Sequence, residues 1–95
     1  MLRAEVLDTA KGYVTKDRQA DHGKPEDTFA VIASMWTAYT RHPVTPVDVA
    51  NMMALLKIAR SKGNPRHEDN YVDMAGYAAC AAELADALEE RPTAV

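Results

Sequence analysis

Apolar positions recur three and four residues apart along most of the chain, and alternating Val- and Ile-rich runs are absent. That spacing belongs to helices packed by one face, so the sequence reads as all-α: four helices in one compact domain. The first helix is expected from about Leu2 to Val14, with Leu2, Val6, Ala10 and Tyr13 on one side. A polar connection, TKDRQADHGK, follows. Pro25 suits the first turn of a second helix, where Glu26 and Asp27 favour the positive end of its dipole. Phe29, Ile32, Trp36 and Tyr39 form the heavy face of that helix. His42-Pro43 ends it, because the residue before a proline is pushed away from helical dihedrals.

The clearest start signal is Thr45-Pro46-Val47-Asp48: a threonine N-cap, a proline at the first helical position and an acid three after the cap. From there to about Lys62 the chain is apolar on nearly every side, through Val47, Val49, Met52, Met53, Leu55, Leu56 and Ile58. A helix of that kind is expected at the centre of a fold. Gly63-Asn64-Pro65 stops it, with Arg60 and Lys62 near its negative end. The fourth helix is expected from about Glu68 to Glu90, leaving RPTAV as a loose tail. The whole chain, 1–95, is thus a single domain with an ordered core over about 2–90.

Ninety-five residues, 47% of them apolar and many of those alanine, give only a thin core. A homo-oligomer is therefore expected, because a second copy would bury surface that one copy leaves wet. The net charge of −3 argues against general nucleic-acid binding, where a basic surface supplies most of the affinity. Cys80, the single cysteine, lies in AACAA and reads as a small buried hydrophobe of a reducing cytoplasm. The N-terminus lacks the apolar stretch of a signal peptide, and no segment approaches the roughly 20 apolar residues of a membrane span. A soluble cytoplasmic protein is expected, with no membrane partner.

The chemistry concentrates at the third connection. Lys57, Arg60, Lys62 and Arg66 follow one another without an intervening acid, and then come Glu68, Asp69 and Asp73. Asp69 and Asp73 lie four apart on one helical face, a spacing with which two carboxylates can hold Mg2+. The plainer reading is that Asp69 favours the helix N-terminus while Asp73 pairs with a base. Lys57 and Arg60 fall near the end of an otherwise apolar helix and need partners there, since an unpaired buried charge is too costly to keep. Asp73 is the natural partner across the turn. Either this is a structural clamp, or Lys57, Arg60 and Arg66 hold a phosphate with the acids assisting.

A second polar cluster, Asp17, Arg18, Asp21, His22 and Gly23, precedes a helix N-terminus, the makings of an anion pocket or merely a solvated loop. His22 and His67 are potential proton donors, but no His/Cys spacing resembles a zinc site. Trp36, Tyr39, Tyr71 and Tyr77 could stack on a base, or form core and subunit interface. Gly76, inside a helix, costs about 1 kcal/mol relative to alanine and so marks a close approach, by a neighbouring helix in the simpler reading. The sequence offers no nucleophile–base pair, phosphate-binding glycine loop or thiol motif, and no catalytic residue can be named.

The segments DRQADHGKPEDTF, MWTAY, TPVDVANMMALLKIAR and NPRHEDNYVDMAGYAACAAEL resemble a family of small bacteriophage and prophage proteins of unknown function. The resemblance covers roughly Asp17 to Leu84, with His22 where tyrosine is often expected. It implies a phage gene and an all-α fold but no established activity, and the cytoplasm expected above is then that of a bacterial host. A phosphofructokinase label attached to some members does not suit a chain this size, because that enzyme needs a far larger α/β domain. More distantly, the chain is similar to all-α MazG-like nucleotide pyrophosphatases, whose paired acidic motifs on two helices bind magnesium. Here Asp69 and Asp73 supply one pair, but the third helix offers only Asp48 and then Asn51.

These readings converge on a phage accessory protein that binds, and so could sequester, a phosphorylated nucleotide-like small molecule at the helix 3–helix 4 turn. Lys57, Arg60, Arg66, His67, Asp73, Tyr77, Arg18 and His22 are the candidate ligand-binding residues, and Asp69 and Asp73 the candidate metal ligands. The alternatives are a magnesium-dependent nucleotide pyrophosphatase and a module that binds a host protein.

Overall fold

In the computed structural model residues 1–17 and 24–88 are described, and every regular element among them is helical. Helix α1 spans Arg3–Gly12 and continues into a π-helical turn, Tyr13–Asp17. Helix α2 spans Pro25–Thr40, α3 spans Pro46–Gly63 and α4 spans Glu68–Ala85. The expected all-α, four-helix domain is what forms. The connection holding Arg18, Asp21, His22 and Gly23 lies outside the described residues, as do Glu90 and the tail.

The strongest local signal works as read. The Thr45 hydroxyl accepts the Asp48 N–H at 3.1 Å, and Asp48 Oδ2 accepts the Thr45 N–H at 2.9 Å. Two donors that the first helical turn cannot satisfy are thereby paired. Just upstream, the Thr37 hydroxyl accepts the Val44 N–H at 2.9 Å and donates to the Val44 carbonyl at 3.3 Å, tying α2 to the start of α3. Between them Arg41 closes α2 in the left-handed region at φ 60°, a conformation glycine adopts more cheaply.

α4 is the hub: α3 packs along it, α1 lies on it, and α2 docks mainly on α3. The core joins Phe29 and Ala33 of α2, Val49 and Ala50 of α3 and Ala81 of α4. Ile32, Trp36, Met53, Tyr77 and Leu84 pack around them. Val49 and Val72 are the bulkiest fully buried side chains, each stabilising the fold by about 1.5–3 kcal/mol relative to exposure. Alanine and glycine supply much of the rest, which lets the helices approach closely but buries little area.

Three expectations need correction. α3 is not enclosed: Met52, Leu55, Leu56 and Ile58 are 47%, 62%, 40% and 51% exposed. Only α4 and α2 pack substantially against α3, too few to surround it, so the side through Val49, Ala50, Met53 and Lys57 is covered and the opposite side is not. Tyr39, placed on the heavy face of α2, is 90% exposed next to the last residue of that helix, whereas Ile32 and Trp36 before it pack against the core. Leu2, at the start of α1, is exposed too, whereas Ala10 is buried. The π-helical turn at the end of α1 brings Val14 over Gly76, where a Cβ built on the glycine would lie 3.1 Å from Val14 Cγ1. The glycine is there for helix packing, as the simpler reading held.

Candidate functional site

Lys57 occurs on the covered line of α3 because it lies four residues after Met53 and eight after Val49. Its ammonium there faces α4 rather than water. Asp73, between buried Val72 and half-buried Met74, faces it, and Nζ lies 2.9 Å from Oδ2. The two side chains are only 14% and 15% exposed, so each charge is the main compensation for the other's lost hydration. The clamp anticipated across the turn therefore exists, with Lys57 rather than Arg60 as its basic member.

Asp73 also opens onto a cleft. Tyr13 and Val14 from the end of α1, Phe29 and Ile32 from α2, Met53 from α3 and Asp73, Gly76 and Tyr77 from α4 line a space of about 430 Å³. The Phe29 and Tyr77 rings meet along one side, 6.1 Å between centroids and tilted by 46°. The walls are mostly apolar and Asp73 is the one charged side chain among the described residues that line them. A neighbouring hollow of about 600 Å³ shares Ala10, Val14, Pro25, Gly76 and Cys80, and adds Lys11, Glu26 and Glu83. Cys80 thus borders both. Burial pushes its thiol pKa above the ordinary value, and the Glu83 and Glu26 carboxylates add to the rise, so the thiol stays neutral.

The remaining candidates lie apart from this arrangement. Arg60, Arg66, His67 and Asp69 are exposed. His67 Nε2 is 4.0 Å from Asp69 Oδ2, with those side chains 53% and 72% exposed. Asp69 and Asp73 share a face by spacing, yet one stands in water and the other is engaged by Lys57. As magnesium ligands they supply only one uncommitted carboxylate, a weak donor set. No group of three or more His, Cys, Asp or Glu side chains placed to hold a metal ion occurs among the described residues. Tyr71 does not face the cleft; its hydroxyl donates to the Pro65 carbonyl at 2.7 Å and fastens the turn between α3 and α4. Arg18 and His22 fall outside the described residues.

Sequence reasoning missed Tyr13, Val14 and Met53 as cleft residues, since each reads as ordinary helix packing. It also passed over Asn70, a polar side chain only 4% exposed. The signal for Asn70 was its place three residues before Asp73 and six before Gly76, on the packed side of α4. No helix among the described residues is long and apolar enough to cross a membrane.

Residues 5–85 match the family model of a domain of unknown function, DUF6378. The gene 55 protein of Mycobacterium phage D29 is 40% identical over 75 residues, covering 79% of this chain and 50% of that protein. The gene 55 protein of Mycobacterium phage L5 is 46% identical over 74 residues, covering 77% of this chain and 47% of its own length. The chain thus spans about half the length of the curated relatives it matches. No solved structure shows a significant match. With residues 5–85 matching that family and two such relatives in mycobacteriophages, this chain belongs to the DUF6378 family of domains of unknown function.

Proposed function

We propose that this domain is a phage accessory protein that binds a small phosphorylated, nucleotide-like molecule in the cytoplasm of the host, holding it rather than transforming it. The observation that carries this reading is the 430 Å³ cleft with aromatic walls and, among the described residues, one carboxylate, Asp73, backed by Lys57. Its volume falls within the range of small-molecule sites, roughly 300–1,000 Å³, and such sites combine apolar walls with a few placed polar groups. A flat base would lie against Tyr13, Phe29 and Tyr77, its N–H groups donating to Asp73. Phosphate would leave the cleft beside Lys57 and reach the exposed Arg60, which stands apart from the cleft walls one helical turn further along α3. The site so drawn sits deeper than the exposed turn. Asp73, already engaged by Lys57, favours binding over metal-dependent hydrolysis.

Isothermal titration with a panel of nucleoside phosphates, the matching nucleosides and inorganic phosphate tests the proposal. At least one phosphorylated compound is expected to bind, and Arg60→Ala to weaken it by about tenfold without changing affinity for the nucleoside. Binding should also slow the reaction of Cys80 with thiol reagents in part, because that residue borders the cleft as well as the neighbouring hollow. Absence of heat with every compound at about millimolar concentration would refute the reading.

A further inference from the structure

We infer that two copies of this chain pair through the outer face of α3, antiparallel, with Leu55 beside its own copy on the two-fold axis. Asp48, Met52, Leu55, Ala59 and Lys62 are spaced four, three, four and three residues apart, which puts them on one stripe of the helix. This stripe lies opposite the line through Val49, Ala50, Met53 and Lys57 that faces the rest of the domain. Met52 and Leu55 are 47% and 62% exposed, and Leu56 and Ile58 flank the stripe at 40% and 51%. Nothing in the described part of the domain covers them.

The charges say what kind of partner fits. Asp48, half-buried beside its cap, stands at the N-terminal end of the stripe and exposed Lys62 at the C-terminal end, each seven residues from Leu55. An antiparallel copy centred on Leu55 sets Asp48 against Lys62 of the partner subunit, twice over, and sets the two helix dipoles head to tail. Parallel pairing would bring like charges together at both ends. The stripe is its own complement, the property that a two-fold interface requires and that an unrelated partner does not. Asp48 keeps its capping role, since Oδ2 accepts the Thr45 N–H while Oδ1 meets the incoming ammonium.

The area suffices. The four apolar side chains expose on the order of 400 Å² per copy, and at the roughly 65% apolar share of homodimer interfaces this makes about 1,200 Å² in total. Specific interfaces begin near 1,000 Å². The pairing leaves the cleft uncovered, so it stands or falls independently of ligand binding.

Sedimentation equilibrium of the full chain up to about 100 µM is the test, run beside Leu55→Glu and Lys62→Glu. The wild type is expected as a dimer dissociating in the micromolar range. Leu55→Glu should be monomeric throughout with an unchanged helical spectrum, and Lys62→Glu should weaken pairing by about tenfold at low salt. Leu55→Cys in a Cys80→Ala background should oxidise to a disulfide-linked dimer, whereas Val31→Cys, exposed on α2, should not. A wild type monomeric over the whole range would overturn the inference. So would a dimer indifferent to Leu55→Glu, which would place the interface on another surface.

Discussion

Replacing Asp73 with alanine removes the carboxylate 2.9 Å from the Lys57 ammonium and leaves that charge on a side chain 14% exposed. Exposed ion pairs contribute at most about 1 kcal/mol, whereas orphaning one member of a buried pair costs about 3–5 kcal/mol. This pair lies between those limits, so a loss of about 2 kcal/mol is expected. For a domain of this size that lowers Tm by roughly 10 °C. The cause is the stranded charge rather than the lost contact, and a second variant separates the two. Lys57→Met with Asp73→Leu removes both charges while filling the space, and should return to within about 1 kcal/mol of wild type. Urea and thermal unfolding followed by far-UV circular dichroism read both. Asp73→Ala within about 0.5 kcal/mol of wild type would refute the reasoning, for it would mean that Lys57 escapes to water at no cost. An Asp73→Ala protein that folds as well as wild type but loses nucleotide affinity would instead assign the carboxylate to the ligand.

Other perturbations bear on other parts of the fold. Gly76→Val places two methyl groups where even a Cβ lies 3.1 Å from Val14 Cγ1, and should destabilise by about 2–3 kcal/mol in urea unfolding. Arg41→Gly relieves the left-handed cap of α2 and should raise stability by about 0.5–1 kcal/mol, seen as a higher Tm. Cys80, its thiol pKa raised by burial, should react with a disulfide reagent more slowly than an unfolded control at mildly alkaline pH. The sign of the linkage follows: the unfolded chain loses this proton first, so the stabilisation is full below the ordinary thiol pKa and declines as pH rises past it. Cys80→Ala should remove that part of the pH dependence.

What could be read from the chain was what is decided locally. Thr45, Pro46 and Asp48 specify a helix start whatever surrounds them, and Gly63-Asn64-Pro65 a stop. The Lys57–Asp73 pair was legible for a related reason: a cation on an otherwise dry helical line must find an anion, and Asp73 is the acid on the packed part of the next helix. Gly76 announced a close approach, but nothing in its neighbourhood named Val14, because that contact depends on the π winding at the end of α1. The exposure of Leu55 and Tyr39 was hidden for a different reason. Periodicity shows which positions are apolar but not how many neighbouring helices arrive to cover them. The cleft belongs to the same class, since its volume is the gap left between α1 with its π-helical turn, α2, α3 and α4, and no single segment encodes it.

The double hydrogen bond between Thr37 and Val44 bears on the order in which the molecule assembles. It closes a loop of seven residues, a step that costs little chain entropy and takes on the order of tens of nanoseconds. The corner between α2 and α3 can therefore form early, and α4 can zip onto α3 through the short turn that follows. The contacts of α1 with α4 bridge some sixty residues of chain and pay their closure entropy last. In native-state hydrogen exchange the amides of Val44 and Thr45 should consequently outlast those of α1. Since α1 supplies one wall of the cleft, the part of the molecule that closes last in folding is also the part that opens first, and a ligand would enter by the same route.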